Sequence, residues 1–203
     1  MVCFSPYWNK KTRTVCECGH CAGCIDSRSK DWVFRISKEM EYSKDNLFVT
    51  LTYNKDNLPE GGTLNKVDVQ NFLKRFREHV SRHFGIKNVR YFECGEYGDK
   101  NDRAHYHLIF FGIPFSKQIA DVIDAKWGNG WVYVKPAIPV HAPYVSSYVL
   151  KNFDRFIIKI SKVGRRNTRV KLRPDGRLAP FFAFSRGIGK DWLKTVGVVL
   201  IMW

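Results

Sequence analysis

Two histidines separated by one residue, His105 and His107, stand in the run Arg103-Ala104-His105-Tyr106-His107-Leu108-Ile109-Phe110-Phe111-Gly112. Alternate side chains of a β-strand share a face, so both imidazoles project together while Tyr106 points the other way. The β-rich run Leu108 to Phe111, closing at Gly112, predicts that strand. Two neutral imidazoles held this way form half of a divalent-metal site, with coordination positions left over. Thirty-seven residues after His107 begins Tyr144-Val145-Ser146-Ser147-Tyr148-Val149-Leu150-Lys151. As a helix, this segment sets Tyr144 and Tyr148 on one face at i and i+4, with Lys151 a turn further on the same side. Val145, Val149 and Phe153 would pack that helix down. Phenols beside a metal that polarises a phosphate make a nucleophilic phosphodiester-cleaving site. A phenol whose pKa lies near ~10 needs activation, which the Lys151 ammonium or the metal could supply.

The metal half-site needs a third ligand. Asn88 to Tyr97 reads as a strand, and Gly98 to Arg103 as the turn joining it to the histidine strand. In an antiparallel hairpin the end of the first strand lies opposite the start of the second, which brings either Glu93 or Glu96 near His105. The two glutamates have opposite parity, and the residues alone leave both open.

The pattern His-hydrophobic-His followed by Tyr-x-x-x-Tyr-x-x-Lys resembles the HUH endonucleases that initiate rolling-circle replication. It is most similar to the replication initiators of microviruses, particularly their gokushovirus branch. Supporting blocks are Cys18-Gly19-His20-Cys21-Ala22-Gly23-Cys24, Phe48-Val49-Thr50-Leu51-Thr52-Tyr53, Cys94-Gly95-Glu96-Tyr97-Gly98-Asp99-Lys100 and Ser185-Arg186-Gly187-Ile188-Gly189-Lys190-Asp191-Trp192. The resemblance thus runs from about Cys16 to about Trp192. It implies Glu96 as the carboxylate ligand, Mg²⁺ or Mn²⁺ as the metal, and single-stranded or supercoiled phage origin DNA as substrate. Tyr-x-x-Lys, shared with one-tyrosine members, makes Tyr148 the first nucleophile; Tyr144 then attacks when the new strand is released. The expected products are a 5′-phosphotyrosine link and a primer 3′-OH, later religated. Members of the family generally continue well past residue 203, so this chain is either a short member or lacks a C-terminal part.

The 203 residues carry a formal net charge of +15, which calls for a polyanionic partner, and 44% hydrophobic content, which excludes a disordered chain. From Lys151 to Arg177 there are ten Lys or Arg against two Asp. Arg165, Arg166, Arg169, Lys171 and Arg173 therefore read as a DNA-binding arm that grips phosphates without reading bases. Phe153 and Phe156 could stack on bases, although core packing is the commoner role. No signal peptide or membrane span is visible, and the expected location is the cytoplasm of a bacterial host. Gly187-Ile188-Gly189-Lys190 has the wrong spacing for a phosphate-binding loop, so strand opening falls to a host helicase or supercoiling, and elongation to a host polymerase. Cys16, Cys18, Cys21 and Cys24 are too closely spaced for disulfides. Zinc at these four is disfavoured because structural sites take ligand pairs from two separate segments, which leaves reduced thiols as the expectation.

The elements that must hold these groups follow from periodicity. Residues 21–42 read as a helix, Asn46 to Tyr53 as a strand, and Asn65 as the N-cap of a helix through His83 with Val69, Phe72, Leu73, Phe76 and Val80 on one face. After the histidine hairpin come a helix from Ser116 to Lys126, a strand at Trp131 to Val134, and the tyrosine helix beginning after Pro143. This order is that of an α+β, ferredoxin-like split βαβ unit with a central antiparallel sheet backed by helices, the fold the resemblance also implies. Three regions are expected: 1–45 as a cysteine-containing segment and helix, 46–153 as the nuclease core, and 154–203 as a basic extension. His20, His79, His83 and His141 read as surface or structural. Two rival functions fit the same residues: a non-catalytic basic nucleic-acid binder, and a transposase or plasmid initiator with the same chemistry.

Overall fold

Asn46–Thr52 alternates Leu47, Val49 and Leu51 against Phe48 and Thr50, so a strand built from it must be covered on both sides. The computed structural model describes residues 3–99, 101–151, 157–163 and 166–195, without the side chains of 148–151, 157–163, 166–169 and 193–195. In chain order the elements are β1 (Tyr7–Asn9), β2 (Thr14–Cys16), α1 (Ala22–Ser43), β3 (Asn46–Thr52), α2 (Lys66–Phe84), β4 (Arg90–Tyr97) and β5 (Ala104–Phe111). They continue with α3 (Lys117–Trp127), β6 (Val132–Pro136), α4 (His141–Lys151), β7 (Ile157–Val163), β8 (Arg166–Leu172), β9 (Phe181–Phe184) and α5 (Lys190–Thr195).

The main sheet has the order β6-β3-β5-β4-β9, and every neighbouring pair in it is antiparallel. Its first four strands, with α2 and α3 as crossovers, form the split βαβ unit expected from the sequence, and the histidine strand β5 is central. One face carries Val49, Leu51, Tyr106, Leu108 and Phe110 under α2 and α3. The other carries Phe48, Phe92, Cys94, Ile109 and Phe111 under Trp32, Ile36 and Met40 of α1 and Ala142 and Val145 of α4. The α2 face is buried as its spacing required, each large apolar side chain contributing about 1.5–3 kcal/mol. Asn65 caps that helix by accepting the Val67 N–H at 3.0 Å. Tyr106, turned away from the histidine face, bonds Tyr53 Oη at 2.9 Å and accepts the Asn65 N–H at 2.8 Å, tying β5 to the start of α2.

Several features depart from the sequence reading. The tyrosine helix starts at His141, two residues before Pro143, because a proline in the first turn removes only an N–H that has no intrahelical partner. The basic stretch contains an antiparallel hairpin, β7–β8. β9 adds a fifth strand against β4, and Gly95 permits it: a Cβ there would lie 2.8 Å from Phe181 Cε1. The Gly187 to Lys190 block is a structural clasp. Glu39, 2% exposed, accepts the Gly189 N–H at 2.7 Å and pairs with Arg90, whose guanidinium also donates to the Gly187 carbonyl at 2.8 Å. Cys16 does not group with the other clustered cysteines; its thiol lies 3.7 Å from Thr14 Oγ1, on the β1–β2 hairpin. Arg165, Phe153, Phe156 and the final segment from residue 196 lie outside the described residues. Among the described residues no helix is long and apolar enough to cross a membrane.

Candidate active site

The β4–β5 register pairs Glu96 with His105 and Cys94 with His107, so all four project to one face, and Glu93, of opposite parity, projects to the other. His105 Nε2 lies 2.8 Å and His107 Nε2 3.1 Å from the same oxygen, Oε1 of Glu96. The other ring nitrogens are held from outside: His105 Nδ1 lies 3.0 Å from the Arg103 carbonyl and His107 Nδ1 2.9 Å from Thr50 Oγ1. A carbonyl only accepts, so Nδ1 of His105 must carry the proton it donates. In the neutral ring Nε2 is then a lone pair facing a carboxylate oxygen. An imidazolium relieves that clash, and so does a cation between the two. Glu96, His105 and His107 each offer a ligand atom within 4.8 Å of the others, and this hard, borderline donor set suits a divalent metal.

Burial favours the neutral form of both histidines, but they come out differently. At His105, desolvation is outweighed by the hydrogen bond to Glu96, and its pKa is raised. His107 is lowered, by desolvation and by the neighbouring His105 charge. Cys94 beside them is fully buried and its thiol is pushed well up, which withholds a soft thiolate from the site. On the opposite face Glu93 is 3% exposed and burial raises its carboxyl to about 7.

α4 crosses this face. Tyr144 Oη lies 3.2 Å from His107 Nε2, and the two rings meet edge to face at 5.2 Å. Tyr148 and Lys151 follow one and nearly two turns later on α4, with side chains outside the described residues. Beside Tyr144 opens a cleft of about 400 Å³ lined by Phe48, Thr50, His107, Tyr133, Lys135 and His141, among others. Two of these went unnoticed in the sequence. β6 pairs Tyr133 with Thr50 and Lys135 with Phe48, which puts a phenol and an ammonium on the histidine face. The signal was the alternation Tyr133-Val134-Lys135 on a strand next to β3. His141, read as surface or structural, is buried, stacks on Phe48 at 4.4 Å and forms the cleft wall.

Of the proposed arm, Lys171 is exposed, whereas Arg173 bonds Asp102 at 2.8 Å and covers the Tyr97 ring at 4.6 Å. Arg166 and Arg169 lie on β8 with their side chains outside the described residues.

A split βαβ sheet with a His–His–carboxylate face is an HUH-like α+β arrangement. Residues 46–153 match the model of the replication-associated protein ORF2 family, and the chain belongs to that family. It is similar to Replication-associated protein ORF4 of Chlamydia phage 1, with 33% identity over 90% of this chain and 49% of that protein. Replication-associated protein ORF2 of Spiroplasma virus 4 is 37% identical over 55% of this chain and 36% of its own length. Replication-associated protein VP4 of Bdellovibrio phage phiMH2K is 34% identical over 66% and 47%. The chain thus spans half the length or less of these relatives. No solved structure matches it.

Proposed function

We propose that this chain is the nicking and strand-transfer unit of a microvirus replication initiator. The observation that carries the reading is the Tyr144 hydroxyl 3.2 Å from an imidazole of the Glu96–His105–His107 cluster. Mg²⁺ or Mn²⁺ held by these three residues would neutralise the scissile phosphate of single-stranded origin DNA. A tyrosine oxygen on α4 attacks phosphorus as its proton is lost, and the bond from phosphorus to the 3′ oxygen breaks. That oxygen takes up a proton to become the primer 3′-OH, while the 5′-phosphate stays on the tyrosine. Reversal by the second phenol on another 3′-OH religates the strand. Lys135, on the cleft wall, supplies positive charge beside the phosphate path; the sequence had assigned that role to Lys151. Strand opening and elongation would be left to a helicase and a polymerase of the bacterial host, in its cytoplasm.

The Tyr-x-x-Lys pattern favours Tyr148 for the first cut, and the contact with His107 favours Tyr144. We expect Tyr144→Phe to lose most of the initial adduct and Tyr148→Phe to keep it. The test incubates labelled single-stranded viral DNA with Mn²⁺ and maps the covalently modified peptide. An adduct only at Tyr148 restores the order read from the sequence. An adduct that persists in the double Phe variant ends the tyrosine mechanism.

A further inference from the structure

Far from this face, at the start of α1, four cysteines converge. The sulfurs of Cys3, Cys18, Cys21 and Cys24 all lie within 4.8 Å of one another. Cys21 is 3.5 Å from Cys24 and 3.9 Å from Cys3, and Cys18 is 3.9 Å from Cys24. Disulfide sulfurs sit about 2.05 Å apart, and all six cysteines of the chain are free. A tetrahedral tetrathiolate with metal–sulfur bonds of about 2.3 Å has edges of about 3.8 Å, which these separations match.

The surroundings suit thiolates. Backbone N–H groups of Phe4, Cys18 and Cys21 point at sulfurs of Cys21, Cys3 and Cys18, each at 3.3 Å. The Cys18-Gly19-His20-Cys21 knuckle is shaped by Gly19 at φ +76° and pinned by Arg28, which donates to the Gly19 carbonyl at 3.2 Å. The ligands come from two segments, Cys3 at the N-terminal end and the knuckle leading into α1. That removes the sequence-based objection to zinc, which rested on the absence of a second segment.

A second observation points the same way. The β1–β2 hairpin has three-residue strands, and Tyr7, Trp8 and Val15 are more than half exposed, so little apolar burial holds it to the molecule. Isolated hairpins are marginal even when longer. Something other than a core fixes the residues between Cys3 and Cys18.

We propose that Cys3, Cys18, Cys21 and Cys24 bind one structural Zn²⁺ that staples the N-terminal hairpin to the first turn of α1. Cys16 takes no part, although it completes the closely spaced sequence run. The site also steadies the helix that supports the catalytic face: Ser29 of α1 donates to the Ser146 carbonyl of α4 at 3.4 Å.

The test uses the full chain, purified under reductant and passed over a chelating resin, with metals measured by mass spectrometry. One zinc per chain is expected. The Co²⁺-exchanged protein should show sulfur-to-cobalt charge transfer and the strong d–d bands of a tetrahedral thiolate site, which a His–His–carboxylate site does not give. Cys16→Ser should keep the zinc and the cobalt spectrum, and Cys3→Ser should lose both. Zinc absent from the unsubstituted chain, iron in its place, or a disulfide among the four would overturn the assignment. So would zinc lost from Cys16→Ser or fully kept by Cys3→Ser. The cobalt spectrum of the unsubstituted chain decides the matter even if Cys3→Ser fails to fold.

Discussion

Glu93 and Glu96 are three residues apart and meet opposite fates. Glu96 opposes His105 in the hairpin register, and Glu93 is buried toward α2 near Arg77 and Lys66. Glu96→Gln should cut adduct formation by roughly 100-fold or more, the scale of losing one electrostatic stabiliser of a transition state. Glu93→Gln should leave cleavage intact and change stability instead. Its folded carboxyl titrates near 7 against 4.5 when exposed, so the folded state holds the extra proton between those values. Stability from this group is therefore present below about pH 4.5 and lost as pH rises through 7. Glu93→Gln should accordingly stabilise the protein at pH 8, by at most about 3 kcal/mol, and hardly at pH 4. Denaturant titrations at the two pH values check it; equal effects at both would mean the carboxyl is ionised throughout. Sequence alone could not choose between these glutamates, because parity is relative until a register fixes which strand face is which. The same limit hid Lys135, whose place depends on pairing with Phe48.

At the scale of elements, what was legible was what repeats with its own period. α1, α2 and α3 were readable from apolar residues at helical spacing, and β3 to β6 from alternation. β9 was missed because four residues flanked by Pro180 carry no alternation to read. β7–β8 was hidden by charge: a run of Lys and Arg reads as a solvated arm whether or not it pairs as strands. The connecting turn of the β4–β5 hairpin does more than join strands. Asp102 in it accepts from Arg173 and Arg177, and the next residue, Arg103, supplies the carbonyl that orients His105. Asp102→Asn should raise the Mn²⁺ concentration needed for half-maximal cleavage several-fold. The global stability change should be small, since the aspartate is half exposed. An unchanged metal requirement would uncouple the turn from the site.

For the molecule as a whole, a net charge of +15 makes DNA affinity a matter of counterion release. Replacing Arg166, Arg169 and Lys171 by Ala should weaken single-stranded DNA binding at every sequence and lower the log–log salt slope by up to about 0.7 per residue. Arg173→Ala should change that slope little, because its guanidinium is already paired with Asp102. Fluorescence anisotropy across a salt series separates the two; an equal slope change for Arg173 would place it on the phosphate path as well. The charge was legible as a sum but not as a distribution, since nothing in the residue order says which arginines face inward. Glu96, His105 and His107 all belong to one hairpin, whose contacts span few residues and close within microseconds, whereas Tyr144 reaches His107 only after α3 and β6 have been laid down. The emerging chain can therefore fashion a metal-ready hairpin before it owns a nucleophile, and its capacity to cut DNA ripens last, when the sheet beneath α4 is already complete.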